Sequence, residues 1–177
     1  MDLSALRNQI KSQRLALTKN EVFALSKQVE SLLFSLDFIR EKSNFFIYNS
    51  IKNEVETSGV ISTLTDLGKT VAFPLISGEN LIPAIPKSSE FVLDRFGCKT
   101  PKRYAVMKRV DVAVIPLLVC DKNKNRVGYG KGYYDRFLAG KNCIKIGLAY
   151  DFQVIDSLTP NSWDVPLDII ITPTRII

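Results

Sequence analysis

Short apolar runs alternate with helical segments along most of the chain, and this alternation limits the fold more than any other feature of the sequence. Five runs are apolar at consecutive positions and bounded by polar or turn-forming residues: 43–50, 70–76, 111–121, 143–150 and 167–173. Strands buried on both faces are typical of a parallel sheet covered by helices. We therefore predict an α/β fold with a mainly parallel central sheet, in a three-layer, Rossmann-like α/β/α arrangement. Two weaker runs, 80–85 and 90–96, are predicted as short strands or an excursion.

The first predicted helix carries a basic stripe. Residues 3–17 have apolar side chains at helical spacing on one face. Arg7, Lys11 and Arg14 recur at spacings of four and three on another face. The usual outcome for such a stripe is a solvated helix surface.

Two more helices follow the first one closely. Thr18 and Glu21 have the spacing of a capping box, in which each residue's side chain binds the other's backbone amide. This pair predicts the start of a second helix through residues 22–36. A third helix is predicted over 60–67, and Gly68 is placed to end it.

Length and composition are those of an ordinary globular protein. The chain has 177 residues, of which 46% are hydrophobic and 24% charged, so we predict a single domain over residues 1–177. No apolar run approaches the roughly 20 residues that span a bilayer, and the N-terminus lacks the apolar segment of a secretory signal. We expect a monomeric cytoplasmic protein with no membrane partner.

The absence of histidine excludes several kinds of chemistry. Without histidine there is no Ser–His or Cys–His nucleophile, and the usual zinc ligands are missing. Cys98, Cys120 and Cys143 are far apart and include no CxxC pair. They indicate neither a zinc cluster nor a disulfide framework, and they fit a reducing compartment. Any general acid or base must be Asp, Glu, Lys or Tyr, unless the reaction needs none.

The formal net charge of +6 is compatible with two kinds of anionic partner. One is nucleic acid and the other is a small polyanion such as a nucleotide phosphate. The basic residues do not cluster with aromatic residues outside one glycine-rich segment, and no RRM, KH or zinc-finger pattern occurs. We therefore expect a small-molecule substrate and no nucleic acid, with a basic nucleic-acid-binding module as the rival interpretation.

The glycine-rich segment "RVGYGKGYYDR" spans Arg126–Arg136 and follows a predicted strand. Glycine reaches positive φ and lets backbone amides approach a ligand closely, and successive amides in such turns bind anions. Arg126 and Lys131 add positive charge at the same place. The segment is neither a GxxxxGK[ST] loop nor a GxGxxG fingerprint, since Gly132 comes one position too soon. It nevertheless predicts a phosphate-binding loop that leads into a helix.

Asp135 follows the glycines closely, and two interpretations remain open. A carboxylate beside phosphates is repulsive unless a cation is shared, and magnesium binds through one or two carboxylates together with substrate phosphates. Alternatively, Asp135 complements the dipole of the helix in its first turn. The roles of Tyr133 and Tyr134 are also open. Both could border a flat ligand, or one could pack under the helix while the other is simply exposed.

The segment "RVGYGKGYYDRFL" resembles the signature of the 5-formyltetrahydrofolate cyclo-ligases, also called methenyltetrahydrofolate synthetases. The resemblance covers nearly the whole chain. It includes the basic first helix and, in the same order, "NEVET", "FPLI", "FGCKTP", "DVAVIPLLVCD" and "WDVPLDIIITP". The glycine–tyrosine–aspartate signature is the most specific part.

The resemblance implies a reaction as well as a fold. ATP and Mg²⁺ are expected to convert 5-formyltetrahydrofolate to 5,10-methenyltetrahydrofolate, with release of ADP and phosphate. Phosphorylation of the formyl oxygen creates a leaving group, N10 of the same folate attacks, and phosphate departs. No protein nucleophile is needed, which suits a chain without histidine. Catalysis is then mainly positioning and charge neutralisation.

The resemblance also implies roles for particular residues. Arg126, Lys131 and Tyr133 are implied to be catalytic, and Asp135 and Asp164 to bind magnesium. Glu54, Tyr133 and Tyr134 are implied to contact the folate. The residues implied to bind ATP are Arg7, Arg126, Gly128, Tyr129, Gly130, Lys131, Gly132, Tyr133 and Tyr134. From the residues alone, Glu54 and Asp164 are ordinary loop acids, and Asp168 is expected to be structural.

Four positions depart from the family pattern. Leu3 stands where a lysine is frequent, Lys124 where glycine is common, and Thr100 where an acid is usual; Trp163 replaces a histidine. None of these lies within the glycine segment, so we expect activity to survive. The rival within the same class is a paralogue that binds folate or nucleotide without catalysing this reaction.

Overall fold

The computed structural model describes residues 2–177. The helices are α1 Leu3–Ala16, α2 Lys19–Phe34, α3 Phe38–Glu41, α4 Ser58–Asp66 and α5 Tyr133–Leu138. The first strands are β1 Asn44–Ile47, β2 Thr70–Ser77, β3 Asn80–Pro86, β4 Phe91–Leu93, β5 Lys99–Pro101 and β6 Tyr104–Val106. They are followed by β7 Val112–Ile115, β8 Val119–Asp121, β9 Arg126–Val127, β10 Ile144–Leu148, β11 Val154–Ile155 and β12 Ile169–Ile171.

The main sheet has seven strands in the order β12-β10-β7-β1-β2-β3-β6. The first five of these are parallel to one another, whereas β3 and β6 pair antiparallel at one side. The prediction of an α/β fold with a mainly parallel sheet is therefore confirmed. The weaker run at 80–85 is indeed a strand, β3, and it is antiparallel because it returns from β2 through a tight turn at Gly78 with a positive φ. The finer description as three-layer and Rossmann-like stays a prediction.

The apolar run 111–121 was predicted as one strand, and this is wrong. It forms β7 in the main sheet and β8 in a separate sheet of order β11-β8-β9. Pro116 follows β7 directly, and proline has no amide proton to donate to a sheet. The chain therefore leaves the main sheet at Pro116, and the glycine segment is reached through the antiparallel pair β8–β9.

Side chains on the two faces of the main sheet form two separate apolar clusters. Phe45 and Ile47 of β1 belong to one cluster, together with buried residues of α2 and α4. Phe46, between them in the chain, points to the other face and joins a cluster that includes Phe137 of α5. The central strands are thus buried on both faces, as their uninterrupted apolar sequence predicted.

The helix ends follow local sequence signals. The Thr18–Glu21 capping box is present: the Glu21 amide donates to Thr18 Oγ1 at 3.3 Å, and the Thr18 amide donates to Glu21 Oε2 at 2.7 Å. Gly68 lies just beyond α4 with φ of 71°, as expected for a glycine that ends a helix. Among residues 2–177, no helix combines the length and apolarity needed to cross a membrane.

Candidate active site

A cleft of about 900 Å³ lies at the carboxyl ends of the central parallel strands. Tyr48, directly after β1, and Pro116, directly after β7, both line it. This is the place where ligands bind in open α/β sheets, and the volume is typical of a ligand site. The cleft walls also contain every residue to which a site role was assigned from the sequence: Arg7, Glu54, Arg126, Gly128, Tyr129, Gly130, Lys131, Gly132, Tyr133, Tyr134, Asp135 and Asp164.

The glycine segment has the backbone conformation that its sequence predicts. Gly130 and Gly132 adopt φ of 85° and 67°, which is the left-handed region, whereas Gly128 does not require it. Gly132 also caps α5. Because α5 has only six residues, the backbone amides and nearby cations of the loop are a firmer basis for anion binding than the helix dipole.

Arg7 lies against this loop rather than in solvent. Its Nε donates to the carbonyl oxygen of Gly128 at 3.0 Å, and its guanidinium lies beside the α-carbon of Gly130. Arg7 therefore lines the cleft, and the solvated helix face considered as the alternative for the basic stripe does not describe this residue. Lys131 is exposed at the tip of the loop, where its ammonium group is available to a ligand.

Arg126 and Asp135 form an ion pair inside the cleft. Arg126 Nη2 donates to Asp135 Oδ1 at 2.6 Å, and the Arg126 side chain is 5% exposed. The backbone amide of Val165 donates to the same carboxylate oxygen at 3.2 Å. Asp135 also lies in the first turn of α5, as the helix-dipole interpretation requires, and the magnesium interpretation stays a prediction. The Nε of Arg126 is buried and has no hydrogen-bond partner among residues 2–177.

Asp164 lines the same cleft as Asp135, and the residue that follows it, Val165, contacts the Asp135 carboxylate. Its Oδ2 accepts hydrogen bonds from the backbone and side-chain amides of Asn161 at 2.8 and 3.1 Å, so it also stabilises a local turn. Asp168, in contrast, accepts from the Lys145 amide and pairs with its ammonium group at 2.8 Å, outside the cleft. The expectation that Asp168 is structural fits this contact.

The two tyrosines at the start of α5 have different surroundings. The Tyr133 hydroxyl accepts a hydrogen bond from Arg95, and the Arg136 guanidinium lies 5.2 Å from the centre of its ring. Tyr134 packs under the helix, with its ring 6.2 Å from that of Phe46. Burial raises the pKa of Tyr134 well above its usual value, so its hydroxyl stays protonated. Both side chains still contribute to the cleft wall.

Glu54 also lines the cleft, where Tyr129 of the glycine segment and Arg14, a residue without a role assigned from the sequence, hold it. Glu54 is 6% exposed, and its Oε1 accepts from the Tyr129 hydroxyl at 2.5 Å. Arg14 Nη2 donates to the same hydroxyl at 2.8 Å, and Arg14 Nη1 lies 3.8 Å from Glu54 Oε1. Arg14 is only 1% exposed. The only sequence signal for it is its membership of the basic stripe on α1.

Burial raises the pKa of Glu54 above its usual value. Hydrogen bonds from Tyr129 and from the backbone amide of Ile51, and the charges of Arg14 and Lys52, act in the opposite direction but do not cancel the effect of burial. The pKa of Glu54 therefore depends on burial and on these four neighbouring residues. Each of its oxygens accepts one hydrogen bond within the protein and retains a second lone pair for a ligand.

Several further residues of the cleft had no role assigned from the sequence. Phe96 and Trp163 border its mouth and are 38% and 70% exposed. Large apolar side chains with such exposure are available to a flat ligand. Leu3, which stands where the family often has lysine, also lines the cleft. Its neighbour on the same helix face, Arg7, is thus the cation that α1 supplies at this point.

Nearly the whole chain matches one family of known proteins. The model of the 5-formyltetrahydrofolate cyclo-ligase family matches residues 2–173. The chain belongs to the 5-formyltetrahydrofolate cyclo-ligase family. The resemblance inferred from the glycine segment is thereby confirmed, and the protein is an enzyme of that family.

Relatives and solved structures agree with this assignment. The chain is 28% identical to the 5-formyltetrahydrofolate cyclo-ligase of Escherichia coli K12, over 94% of this chain and 98% of the relative. It is 32% identical to the enzyme of the same name from Mycoplasma genitalium, over 97% and 98% of the two chains. The structure of Aquifex aeolicus 5,10-methenyltetrahydrofolate synthetase superposes with a TM-score of 0.89 and 30% identity, over 99% of this chain and 92% of that one.

Proposed function

We propose that this enzyme converts 5-formyltetrahydrofolate to 5,10-methenyltetrahydrofolate in a Mg²⁺-dependent reaction that consumes ATP and releases ADP and phosphate. The observation that carries the proposal is the convergence of the glycine segment, the Asp135 carboxylate and the Glu54 network on one cleft in a chain of this family. The glycine segment offers backbone amides and cations to phosphates, and the adjoining part of the cleft around Glu54 offers a buried carboxylate to hydrogen-bond donors on a folate.

The residues of the cleft fit ATP and magnesium. Gly130 has no side chain, and the guanidinium of Arg7 lies beside it. A phosphate could therefore contact both the loop backbone and Arg7. Within residues 2–177, no three side chains of the types that bind metals come together. Asp135 and Asp164 would therefore hold Mg²⁺ jointly with phosphate oxygens, which is the usual mode for magnesium on nucleotides.

The role of Arg126 follows from its ion pair. In the described structure Arg126 holds Asp135 in place, and its buried Nε has no partner. A buried donor without a partner is costly, and an anionic ligand would relieve that cost. We infer that Arg126 orients Asp135 and turns its free Nε toward bound phosphate, whereas Lys131 at the loop tip neutralises charge more directly.

The part of the cleft around Glu54 orients the folate. Glu54 retains lone pairs for donors of the pterin ring, and Tyr133, Tyr134 and Trp163 provide apolar surface beside it. ATP supplies the phosphoryl group that makes the formyl oxygen a leaving group. The chain's own residues then hold N10 near the formyl carbon and exclude water, so that rate enhancement comes from positioning.

A direct assay tests the proposal. Purified protein is mixed with 5-formyltetrahydrofolate and Mg-ATP, and the near-ultraviolet absorbance of the methenyl product is followed. We expect a rise that requires all three components. Absence of a rise from folded protein would refute the proposal, and binding of folate or ATP without a rise would identify a non-catalytic paralogue.

The rival interpretation, a nucleic-acid-binding module, is tested separately. A nucleic-acid-binding module would lose affinity steeply with salt, because each neutralised phosphate releases counterions. We expect no binding of duplex or single-stranded nucleic acid at physiological salt. Tight binding with a steep salt dependence would favour the rival interpretation.

A further inference from the structure

The carboxylate of Glu54 is held by two residues that reach it from different parts of the chain. Arg14 comes from α1, and Tyr129 comes from the glycine segment, 115 residues further along the chain. Arg14, the Tyr129 hydroxyl and Glu54 form a continuous set of hydrogen bonds and charges. Arg14 does not line the cleft itself, so it acts on a ligand only through its neighbours.

The direction of each proton in this network follows from the chemistry of the groups. The arginine guanidinium can only donate, so the Tyr129 oxygen accepts from Arg14. The single hydroxyl proton of Tyr129 is then left to point at Glu54 Oε1. Burial and the nearby Glu54 charge raise the pKa of Tyr129, so the phenol keeps this proton at physiological pH.

Arg14 also anchors the loop that carries Glu54. Its Nε donates to the carbonyl oxygen of Lys52 at 3.0 Å. Lys52 and Asn53 both adopt positive φ, of 50° and 57°, which costs free energy for residues with a side chain. The side-chain amide of Asn53 donates to the carbonyl oxygens of Arg14 and Leu17 at 3.2 and 2.9 Å. The strained turn is thus fixed to the end of α1 from both sides.

We propose that Arg14 and Tyr129 are positioning residues for Glu54, and that they join the glycine segment and the folate-facing carboxylate into one unit. The reference to folate rests on the function proposed above, but the positioning does not. A ligand that orders the glycine segment would fix Tyr129, and Tyr129 would in turn fix Glu54. Loss of either positioning residue should leave Glu54 present but poorly aimed and more easily protonated.

The groups that surround Glu54 determine how it titrates. Arg14 and Lys52 favour its charged form, and the hydroxyl of Tyr129 and the amide of Ile51 donate to it. The weak acids that interact electrostatically with Glu54 are Tyr48, Cys98, Tyr129, Tyr134 and Tyr150. Burial or neighbouring charge raises the pKa of each of them, so they are neutral where Glu54 titrates. The cations and the Tyr129 proton are therefore the groups whose removal should move Glu54.

The test uses the full chain with Tyr129→Phe and Arg14→Lys. The matched control is Tyr104→Phe, because Tyr104 is a partly exposed tyrosine on β6 outside the cleft. Titration of the Glu54 carboxyl is followed by ¹³C NMR in the ligand-free protein, with Glu54→Gln to assign the signal. Affinity for 5-formyltetrahydrofolate is measured across pH in the same proteins.

Tyr129→Phe should raise the pKa of Glu54, because the charged form loses a donor. Its affinity for 5-formyltetrahydrofolate at neutral pH should fall about tenfold, the typical effect of removing a hydrogen bond to a charged group. The pH at which binding is lost should move upward with it. Arg14→Lys keeps the charge but cannot make all three contacts, so it should give a smaller shift in the same direction, and Tyr104→Phe should give none.

The outcomes separate this inference from the proposed function. A Glu54 titration that is unchanged in both variants would overturn the positioning roles, even if the wild-type enzyme makes the methenyl product. If the Glu54 titration shifts in the two variants but the wild-type protein binds no 5-formyltetrahydrofolate, the positioning roles are upheld and the proposed function is refuted. A weakened folate affinity in both variants with an unchanged pH dependence would also overturn the inference, since it would indicate a structural effect only.

Discussion

Substitution of Gly130 by alanine tests the phosphate-binding loop most directly. Gly130 has φ of 85°, a conformation that L side chains rarely adopt. A β-carbon built there would lie 3.7 and 3.8 Å from Nη2 and Cζ of Arg7, which is ordinary contact and displaces nothing. The cost of Gly130→Ala therefore has two separable parts. One is backbone strain in the folded protein, and the other is the space that the methyl group takes from a ligand between the loop and Arg7.

The strain can be estimated and then controlled for. A left-handed conformation costs a residue with a β-carbon about 1–2 kcal/mol. For a chain of this length, each 1 kcal/mol lowers the melting temperature by about 2–4 °C, so a fall of about 2–8 °C is expected. Gly68 is the matched control, because its φ is 71°, a β-carbon there would contact nothing within 4 Å, and it lies outside the cleft. Gly68→Ala should therefore melt at a similarly reduced temperature.

Only the loop variant, Gly130→Ala, should have a lower affinity for Mg-ATP. We expect Gly130→Ala to weaken Mg-ATP binding at least about tenfold, equivalent to 1.4 kcal/mol, while Gly68→Ala binds as the wild type does. Calorimetric titration with Mg-ATP gives the affinities, and thermal unfolding gives the strain. If Gly130→Ala binds ATP within about twofold of wild type, although both variants melt earlier, then Gly130 does not line a phosphate site.

Three further predictions concern other parts of the molecule. Asp135→Asn should lower turnover roughly 10–100-fold, as expected when a group near a metal is removed, and unchanged turnover in folded protein would refute the metal assignment. Thr18→Ala should remove the capping box of α2 and lower stability by about 1 kcal/mol with turnover unaffected; thermal unfolding with a parallel activity assay checks both parts. Burial alone would raise the pKa of Asp111, but hydrogen bonds from Asn44 and Ser43 and the charge of Arg109 outweigh it and lower the pKa below its ordinary 3.8. Because a lowered pKa stabilises the fold above the unfolded-state pKa and loses that effect as pH falls, wild type should exceed Asp111→Asn in stability at neutral pH, and the difference should shrink below about pH 4; a constant difference in urea unfolding would contradict this.

The sequence predicted those parts of the fold whose signals are local. The bounds of α1 and α2, the capping box and the positive φ of Gly130 and Gly132 all follow from a few neighbouring residues. The break at Pro116 was missed because the apolar run continues through it, and apolar character alone does not distinguish one long strand from two short ones. The antiparallel side of the main sheet was missed because strand direction depends on how each connection returns.

The sequence could predict that the site residues lie together, but it could not predict which of them contact each other. Strand ends and a glycine-rich turn predict where a ligand binds, and all of those residues do line one cleft. The sequence contains no sign that Arg126 would face Asp135, because the pairing depends on the turn formed by β9, the loop and α5. It also does not show that Glu54 would be buried, since a short polar loop ordinarily stays exposed.

The basic stripe on α1 shows why such contacts need the tertiary structure. Helical spacing places the three cations on one face but does not say which face meets the rest of the protein. Leu15 is 58% exposed, whereas its neighbour Arg14 is 1% exposed, which reverses the usual preference of these residue types. Partners 38 and 115 residues away accept hydrogen bonds from Arg14 Nε and Nη2, which offsets part of the cost of burying the charge, whereas its Nη1 has no hydrogen-bond partner among residues 2–177. Arg7 lies at the glycine loop, the Lys11 ammonium lies 5.8 Å from the centre of the Tyr129 ring, and Arg14 lies behind Glu54. Arg7 therefore brings one positive charge of α1 into the cleft, whereas Lys11 and Arg14 contact residues that line it. This arrangement suits a small anionic ligand better than an extended surface for nucleic acid.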